Sequence, residues 1–321
     1  MRFLITGTAG FIGFHVAQRL LSEGHSVVGV DGITPYYDQA LKRRRHEILG
    51  GFPQFSANVM MLEDAAHLAE CVRSASADVV VHLAAQAGVR YSAENPRAYL
   101  DSNIVGTFNL LEALKDVACR HLIVASTSSV YGASQQIPFE ETQETDHPVS
   151  LYAATKKATE LLAYDCASSN GLTTTAIRLF TVYGPWGRPD MAIFKFTRNI
   201  IEGSPIDVYG FGNMTRDFTY VDDTVESIRR LIDRPPGPDA PFRVVNVGGG
   251  QPVGLLDFIA AVETAVGRKA IRRELPMQPG DVPATYASTV LLERLIGFKP
   301  QTPLAVGVGK FVAWYRDQYG G

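Results

Sequence analysis

Tyr152-Ala-Ala-Thr-Lys156 sets a phenol and an ammonium four residues apart, so a helix carries both on one face. A free tyrosine loses its proton near pH ~10; a neighbouring positive charge favours the phenolate, which can then take a proton from a hydroxyl. Upstream, Ser126-Thr127-Ser128-Ser129 ends an apolar run and offers hydroxyls to complete such a site. A second constellation, Gly7-Thr-Ala-Gly10-Phe11-Ile12-Gly13, follows a strand-like run and opens a helix-like one. Small residues there let the backbone approach a pyrophosphate, and the helix N-terminus favours its charge, so the G-x-x-G-x-x-G spacing reads as a dinucleotide loop. Asp31 lies 24 residues after Gly7, at the end of the next strand-like run. A carboxylate there takes the adenosine ribose hydroxyls and repels a 2′-phosphate, so NAD is expected rather than NADP. Lys42-Arg43-Arg44-Arg45 is the contrary hint, but it sits well past the strand end and reads as a solvated helix face. Asn58-Val59 and Leu83-Ala84-Ala85-Gln86 end two further strands and are expected to line the adenine and nicotinamide halves.

These residues need a scaffold that brings strand ends together. Phe3 to Thr6, Val27 to Asp31, Val79 to Leu83, Leu122 to Ser126 and Thr173 to Phe180 are β-branched, near-continuous apolar runs. Helical patterns separate them: Ile12 to Ser22, Asp101 to Lys115 with Ile104, Phe108, Leu111 and Leu114 in step, and Tyr152 to Ser169. The alternation predicts a doubly wound α/β fold, its parallel sheet covered on both faces. After about Tyr183 the texture changes to short elements broken by glycine and proline, as in Gly184-Pro-Trp-Gly-Arg-Pro-Asp and Pro235-Pro-Gly-Pro. Residues 1–182 are expected to form the dinucleotide-binding part, joined by a strand returning near 242–250, and 183–321 a smaller, loop-rich substrate lobe.

Composition narrows the function classes. The 321 residues are 46% hydrophobic with a net charge of −3, which fits a large globular core and disfavours a nucleic-acid or membrane-surface binder. Cys71, Cys119 and Cys166 form no C-x-x-C, so a reducing cytoplasm is expected and a disulfide framework is not. No run approaches the roughly 18 apolar residues of a membrane span, and no H-E-x-x-H pair suggests a metal.

Nearly end to end, the chain resembles the extended short-chain dehydrogenase/reductase superfamily in its nucleotide-sugar epimerase and dehydratase branch. The resemblance is carried by Gly7 to Gly13, Asp31, His82-Leu-Ala-Ala-Gln-Ala-Gly-Val-Arg90, Asn103-Ile-Val-Gly-Thr107, Ser126 to Gly132, Tyr152 to Lys156, Arg178-Leu-Phe-Thr-Val-Tyr-Gly-Pro185 and Arg216-Asp-Phe-Thr-Tyr-Val-Asp222. It implies a Rossmann fold, tightly held NAD that is regenerated in each turnover, a UDP-sugar substrate and a homodimer pairing the Asp101 and Tyr152 helices. It also implies that Thr127, four residues before the tyrosine of V-Y-G, joins Tyr152 and Lys156 in catalysis, and that Arg216 meets the substrate diphosphate.

Branch dehydratases carry an Asp-Glu pair beside the threonine, and decarboxylases a Glu before V-Y-G; this chain has Ser128-Ser129. Without that extra acid or base, what remains is oxidation at carbon 4, turning of the keto sugar and return of the hydride: a 4-epimerisation. Tyr36 to Arg45, Thr181, Arg188-Pro-Asp-Met191 and Met277-Gln-Pro-Gly-Asp281 look like UDP-glucuronate 4-epimerases. Arg188, Thr181, Ser128 and Ser129 are then expected to clamp the sugar carboxylate away from the geometry in which a β-keto acid loses carbon dioxide. Arg90 is expected at a phosphate or the sugar, Lys195 and Phe196 beside the uracil, and Asp281 at the uridine ribose. A UDP-glucose/UDP-galactose 4-epimerase, a UDP-glucuronate decarboxylase and a non-catalytic dinucleotide sensor are the alternatives, in that order.

Overall fold

A computed structural model of the chain describes residues 1–278 and 280–320. The first half runs β1 (Arg2–Thr6), α1 (Phe11–Ser22), β2 (Ser26–Asp31), α2 (Gln39–Gly50), β3 (Phe55–Val59), α3 (Ala65–Ala75) and β4 (Val79–His82). Two single-turn helices, α4 (Tyr91–Glu94) and α5 (Pro96–Tyr99), lead through a π-helical stretch, Leu100–Val105, into α6 (Gly106–Leu114). Then come β5 (His121–Thr127), α7 (Leu151–Asn170), β6 (Thr174–Leu179), β7 (Thr181–Tyr183), α8 (Ala192–Glu202), β8 (Ile206–Tyr209), β9 (Thr215–Tyr220) and α9 (Val221–Ile232). The chain closes with β10 (Phe242–Val247), β11 (Pro252–Gly254), α10 (Leu255–Val266), β12 (Arg272–Leu275), β13 (Ala284–Thr285), α11 (Val290–Ile296) and α12 (Leu304–Tyr319).

Seven strands form one parallel sheet in the order β10-β6-β5-β4-β1-β2-β3. The five expected strands are all present, and Phe242–Val247 does return to the sheet, pairing with β6. Side-chain alternation explains why both faces are covered. Phe3 and Ile5 of β1 point with Val79, Val81, Ile123 and Val245 into a core shared with α1 and α9, whereas Leu4 points with Val80 and Leu122 into a second core against α3 and α6.

The sheet order places the ends of β1, β2, β4 and β5 along one edge, where doubly wound sheets bind ligands. Across that edge lies the smaller part: β9 pairs antiparallel with β11 and parallel with β7 and β13, and β8 pairs with β12. Among the described residues, no helix is long and apolar enough to cross a membrane.

Two local expectations are corrected. The Asp101 to Lys115 helix begins as a π-helix, and of its apolar stripe Leu111 and Leu114 are buried while Phe108 is 48% exposed. The Lys42 to Arg45 run is a solvated face only in part: Arg43 and Arg44 are exposed, but Lys42 and Arg45 are buried, because carbonyls from other segments supply the hydrogen bonds that water would otherwise give.

Candidate active site

The dinucleotide loop is shaped by close approach. Gly7 has φ +84°, and a Cβ there would stand 2.8 Å from the Ala84 nitrogen; one on Gly13 would stand 2.0 Å from the Gly7 carbonyl oxygen. Only glycine fits both places. Side-chain oxygens of Asp38, Asp64 and Ser150 cap α2, α3 and α7, but α1 starts at Gly10 without a side-chain cap, leaving its first N–H groups for a ligand. Asp31 is fixed at the end of β2: its Oδ2 accepts from Ala9 N at 2.9 Å and its Oδ1 from Ile33 N at 2.8 Å.

A single long cleft takes in this loop and the expected catalytic residues. Gly7, Gly10, Phe11, Ile12, Gly13 and Asp31 line one end. Leu83, Ala84, Ala85 and Gln86 line its floor, and Thr127, Tyr152, Lys156 and Arg188 the other end. Asn58 and Val59 do not line it; β3 runs to Val59, and Met60, Met61, Leu62 and Glu63 just beyond the strand end take that place. These residues suit a dinucleotide: an uncapped helix start for the pyrophosphate, a fixed carboxylate for a ribose and an apolar floor. Lys42 also lines the Asp31 end, but its ammonium already donates to Thr34 O at 2.8 Å and Thr34 Oγ1 at 3.1 Å and stands near the Asp31 carboxylate, so it offers no free cation to a 2′-phosphate.

At the catalytic end, the Ser150 cap, accepting from Ala153 N at 3.1 Å, starts α7 so that Tyr152 and Lys156 share its cleft-facing side. Burial pushes the Tyr152 phenol up; a hydrogen bond with Thr127 and the Arg188 charge pull it back. Burial lowers the Lys156 ammonium to about 8, with Glu160, one turn on, opposing the shift. Glu160 is itself buried and pinned: it accepts from Arg178 Nε and Nη2 at 2.9 Å each and from Ser126 Oγ at 2.5 Å. Asn103, on the π-helical stretch, donates to Gln86 O and Thr155 Oγ1, both at 3.0 Å, and accepts from Gln86 N at 2.7 Å. It thereby ties the β4 loop to α7, a use of π-helical geometry common at functional sites.

The expected sugar clamp is only partly gathered. Arg188 enters the cleft, but its Nε and Nη2 bond Asp190 at 3.0 and 2.5 Å, and Tyr36 donates to the same carboxylate at 3.0 Å. Nη1 makes no hydrogen bond among the described residues. Ser128, Ser129 and Thr181 are half-buried and do not line the cleft: Ser129 N donates to Thr127 Oγ1 at 3.2 Å, and Thr181 pairs with Phe218 in the smaller sheet. Tyr36 and Asp190 lie inside stretches already singled out in the sequence, but nothing local there shows that they pair; that emerges only when the loop folds over.

The other expected substrate contacts are Arg216 for the diphosphate, Arg90 for a phosphate or the sugar, and Lys195, Phe196 and Asp281 for the uridine; of these Arg90 and Arg216 both stand near Asp281. Arg90 lies half-exposed, 3.4 Å from Asp281 and stacked over the Tyr209 ring at 4.8 Å. Arg216 donates through Nη1 to Thr215 O and Pro283 O, and burial depresses its guanidinium, with Asp281 opposing. Lys195 is exposed, and Phe196 is spent on the core, 7% exposed and 6.4 Å from the Phe258 ring. The physical reason is the amphipathic register of α8, whose buried face carries Ile193, Phe196, Thr197 and Ile200. Pro279 of the Met277 to Asp281 stretch lies outside the described residues.

Comparisons with known proteins agree with this geometry. Residues 3–248 match the model of the NAD dependent epimerase/dehydratase family. A probable UDP-glucuronate 4-epimerase of Rhizobium meliloti is 58% identical, covering 99% of this chain and 98% of the relative. UDP-glucuronate 4-epimerase 1 of Arabidopsis thaliana is 44% identical over 99% of this chain and 77% of its own length. The crystal structure of UDP-glucuronic acid 4-epimerase from Bacillus cereus, in complex with UDP-glucuronic acid and NAD, superposes with a TM-score of 0.93 at 32% identity, covering 99% of this chain and all of that one. The chain therefore belongs to the NAD dependent epimerase/dehydratase family.

Proposed function

We propose that the protein interconverts UDP-glucuronate and UDP-galacturonate as an NAD-dependent 4-epimerase. One observation carries the reading: Thr127, Tyr152, Lys156 and the cation Arg188 converge on the same cleft as the glycine loop and Asp31. Bound NAD supplies the acceptor for the hydride leaving carbon 4 and returns it once the keto sugar has turned its other face. Tyr152 takes the 4-hydroxyl proton in oxidation and gives a proton back in reduction; Thr127 orients the phenol. Lys156, buried beside it, is the cation that favours the phenolate once the cleft is filled.

Ser128 and Ser129 stand where an acid or base for elimination would be needed, so the keto sugar is reduced rather than dehydrated. Arg188, through its spare Nη1, with Thr181 and the serines, holds the uronate carboxylate so that the breaking carbon–carbon bond stays out of alignment with the keto group. Arg216 is assigned to the diphosphate, Arg90 to a phosphate or the sugar, Asp281 to the uridine ribose, and residues 1–182 with β10 to the cofactor. The unpaired cysteines fit a reducing cytoplasm.

We further assign a homodimer built on the outer faces of the π-helical stretch, α6 and α7, where Leu100, Val105, Phe108, Leu161 and Tyr164 stand exposed. Light scattering at micromolar concentration should give twice the 35.0 kDa chain mass; a monomer rejects the assignment.

The function is tested by incubating the purified protein with UDP-glucuronate, without added NAD, and following proton NMR. Appearance of UDP-galacturonate at constant uronate total is the expected result. A UDP-pentose in its place makes the protein a decarboxylase, and turnover of UDP-glucose alone makes it a neutral-sugar epimerase.

A further inference from the structure

Helix α2 turns one side toward the cleft, and each polar side chain there holds the backbone or side chain of a cleft-forming loop. Gln39 Nε2 donates to Ile33 O at 2.7 Å, Lys42 Nζ to Thr34 O at 2.8 Å, and His46 Nε2 lies 2.9 Å from Thr8 Oγ1. Arg45 does the most. Its Nη1 donates to Ala9 O and to the Tyr37 hydroxyl, both at 2.7 Å, while Nη2 donates to Trp186 O at 2.5 Å and to Gly187 O at 3.4 Å. The residue is fully buried, its Nε has no partner, and it makes no ion pair among the described residues.

A guanidinium is the one side chain whose planar, forked donors reach carbonyls on two separate segments at once; an ammonium cannot bridge them in that geometry. The carbonyls it reaches matter for both ligands. Ala9 belongs to the dinucleotide loop, and its own N–H is bonded to Asp31. Trp186 and Gly187 immediately precede Arg188. Trp186 has φ +60° and Ile33 has φ +44°, a region that bulky residues avoid. Each of these two carbonyls is held by a side chain of α2, so the helix pins backbone that would otherwise relax.

We propose that Arg45 is a positioning residue that couples the two ligand sites. Ordering of the glycine loop by the dinucleotide fixes the Trp186–Arg188 segment through Arg45, and a sugar nucleotide held by Arg188 fixes the glycine loop in return. The proposal rests on the reading of the cleft as an NAD and UDP-glucuronate site. Coupling of this kind is reciprocal and is measured as the factor by which one ligand changes the affinity of the other.

The experiment titrates cofactor-stripped protein with NAD by calorimetry, with and without saturating UDP-glucuronate, in a Y152F background that stops turnover. The ratio of the two NAD dissociation constants should be at least about fivefold with Arg45 in place. It should fall to within twofold of one in R45M, and also in R45K, which keeps the charge but loses the fork. If R45M and R45K weaken both ligands while leaving the ratio unchanged, Arg45 is merely structural and the proposal is overturned. A ratio within twofold of one with Arg45 in place overturns it as well.

Hydrogen exchange of the protein without any substitution provides an arm that needs no Arg45 variant to fold. NAD alone should slow amide exchange across residues 186–191, and the absence of slowing overturns the proposal. A protein that binds NAD but not UDP-glucuronate would instead defeat the substrate reading, and the exchange arm would still decide the coupling.

Discussion

Arg188 is a cation already engaged by a carboxylate, and that arrangement gives its removal a characteristic outcome. In the intact protein the Arg188–Asp190 pair is close to neutral, Arg188 lines the cleft, and its Nη1 makes no hydrogen bond among the described residues. Arg188→Ala deletes the hydrogen bond to a uronate, worth about 1.5–3 kcal/mol for a charged group. It also leaves Asp190 unpaired; at about 7 Å from a second carboxylate and an effective dielectric of about 20, the repulsion is roughly 2 kcal/mol. The two effects together, about 4 kcal/mol, raise the KM for UDP-glucuronate by roughly a thousandfold. Adding Asp190→Asn removes the repulsion, so the double variant should recover to about thirtyfold above the starting KM. UDP-glucose lacks the carboxylate and should bind all three proteins within a few-fold of one another. Initial rates with each sugar, read by chromatography of the nucleotides, give the comparison; a UDP-pentose should also grow in the uronate reaction of Arg188→Ala. Equal losses for both sugars, or a double variant no better than the single, would refute the clamp.

The other expectations rest on separate features. Gly13→Ala drives a Cβ to 2.0 Å from the Gly7 carbonyl oxygen, so the purified variant should lose its retained NAD and unfold about 1–3 kcal/mol more easily, as absorbance and thermal melts report. His82 is lowered to about 3 and His121 to about 4 by burial, each being buried neutral. The unfolded chain binds these protons near pH ~6.5 and the folded one does not, so stability falls as pH drops below that value. Each costs roughly 1.4 kcal/mol per pH unit between about pH 6 and 4.5, and with His15, also lowered to about 4 by burial, the three give roughly 4 kcal/mol per pH unit, of which H121Q should remove about a third in urea titrations. Glu160→Leu strands Arg178 as a buried, unpaired cation, costing about 3–5 kcal/mol, whereas Glu160→Leu with Arg178→Met should regain most of it; a double variant as unstable as the single contradicts a pair whose worth is mutual compensation.

What the sequence discloses here is what lies within one turn of chain. Gly7 to Gly13, Asp31 at a strand end, and Tyr152 with Lys156 are local patterns whose geometry is set by a strand end or a helical turn, and all of them meet in the cleft. The sheet is equally legible, because strands buried on both faces must be apolar throughout. Residues whose part depends on distant partners are not. Arg45 sits in a basic run that looks solvated, yet its carbonyl partner Trp186 is 141 positions away. Asp190 gains its meaning from Tyr36, 154 positions off, and the Glu160–Arg178 pair from two elements packed side by side. Phe196 fails in the opposite sense: an aromatic after a substrate loop suggests a base, but the register of α8 sends it to the core. Asn58 and Val59 do end β3, but the cleft is lined by Met60 to Glu63 just beyond it, a step of the chain that no strand pattern displays.

The position of β10 carries a consequence for how this molecule is made and recombined. The strand that completes the sheet beside β6 arrives only after residues 180–241, which carry β7, β8 and β9 of the smaller sheets and then the sheet-covering helix α9. Its Asn246 then receives the Tyr131 hydroxyl at 2.7 Å and donates to Phe139 O at 2.9 Å, fastening the segment that follows Thr127. A nascent chain that has emerged through Leu179 thus holds every residue of the catalytic group but not the strand that braces it. A swap of everything after residue 182 would therefore exchange that bracing strand together with the specificity lobe, so the incoming half has to bring a strand that fits the β6 edge.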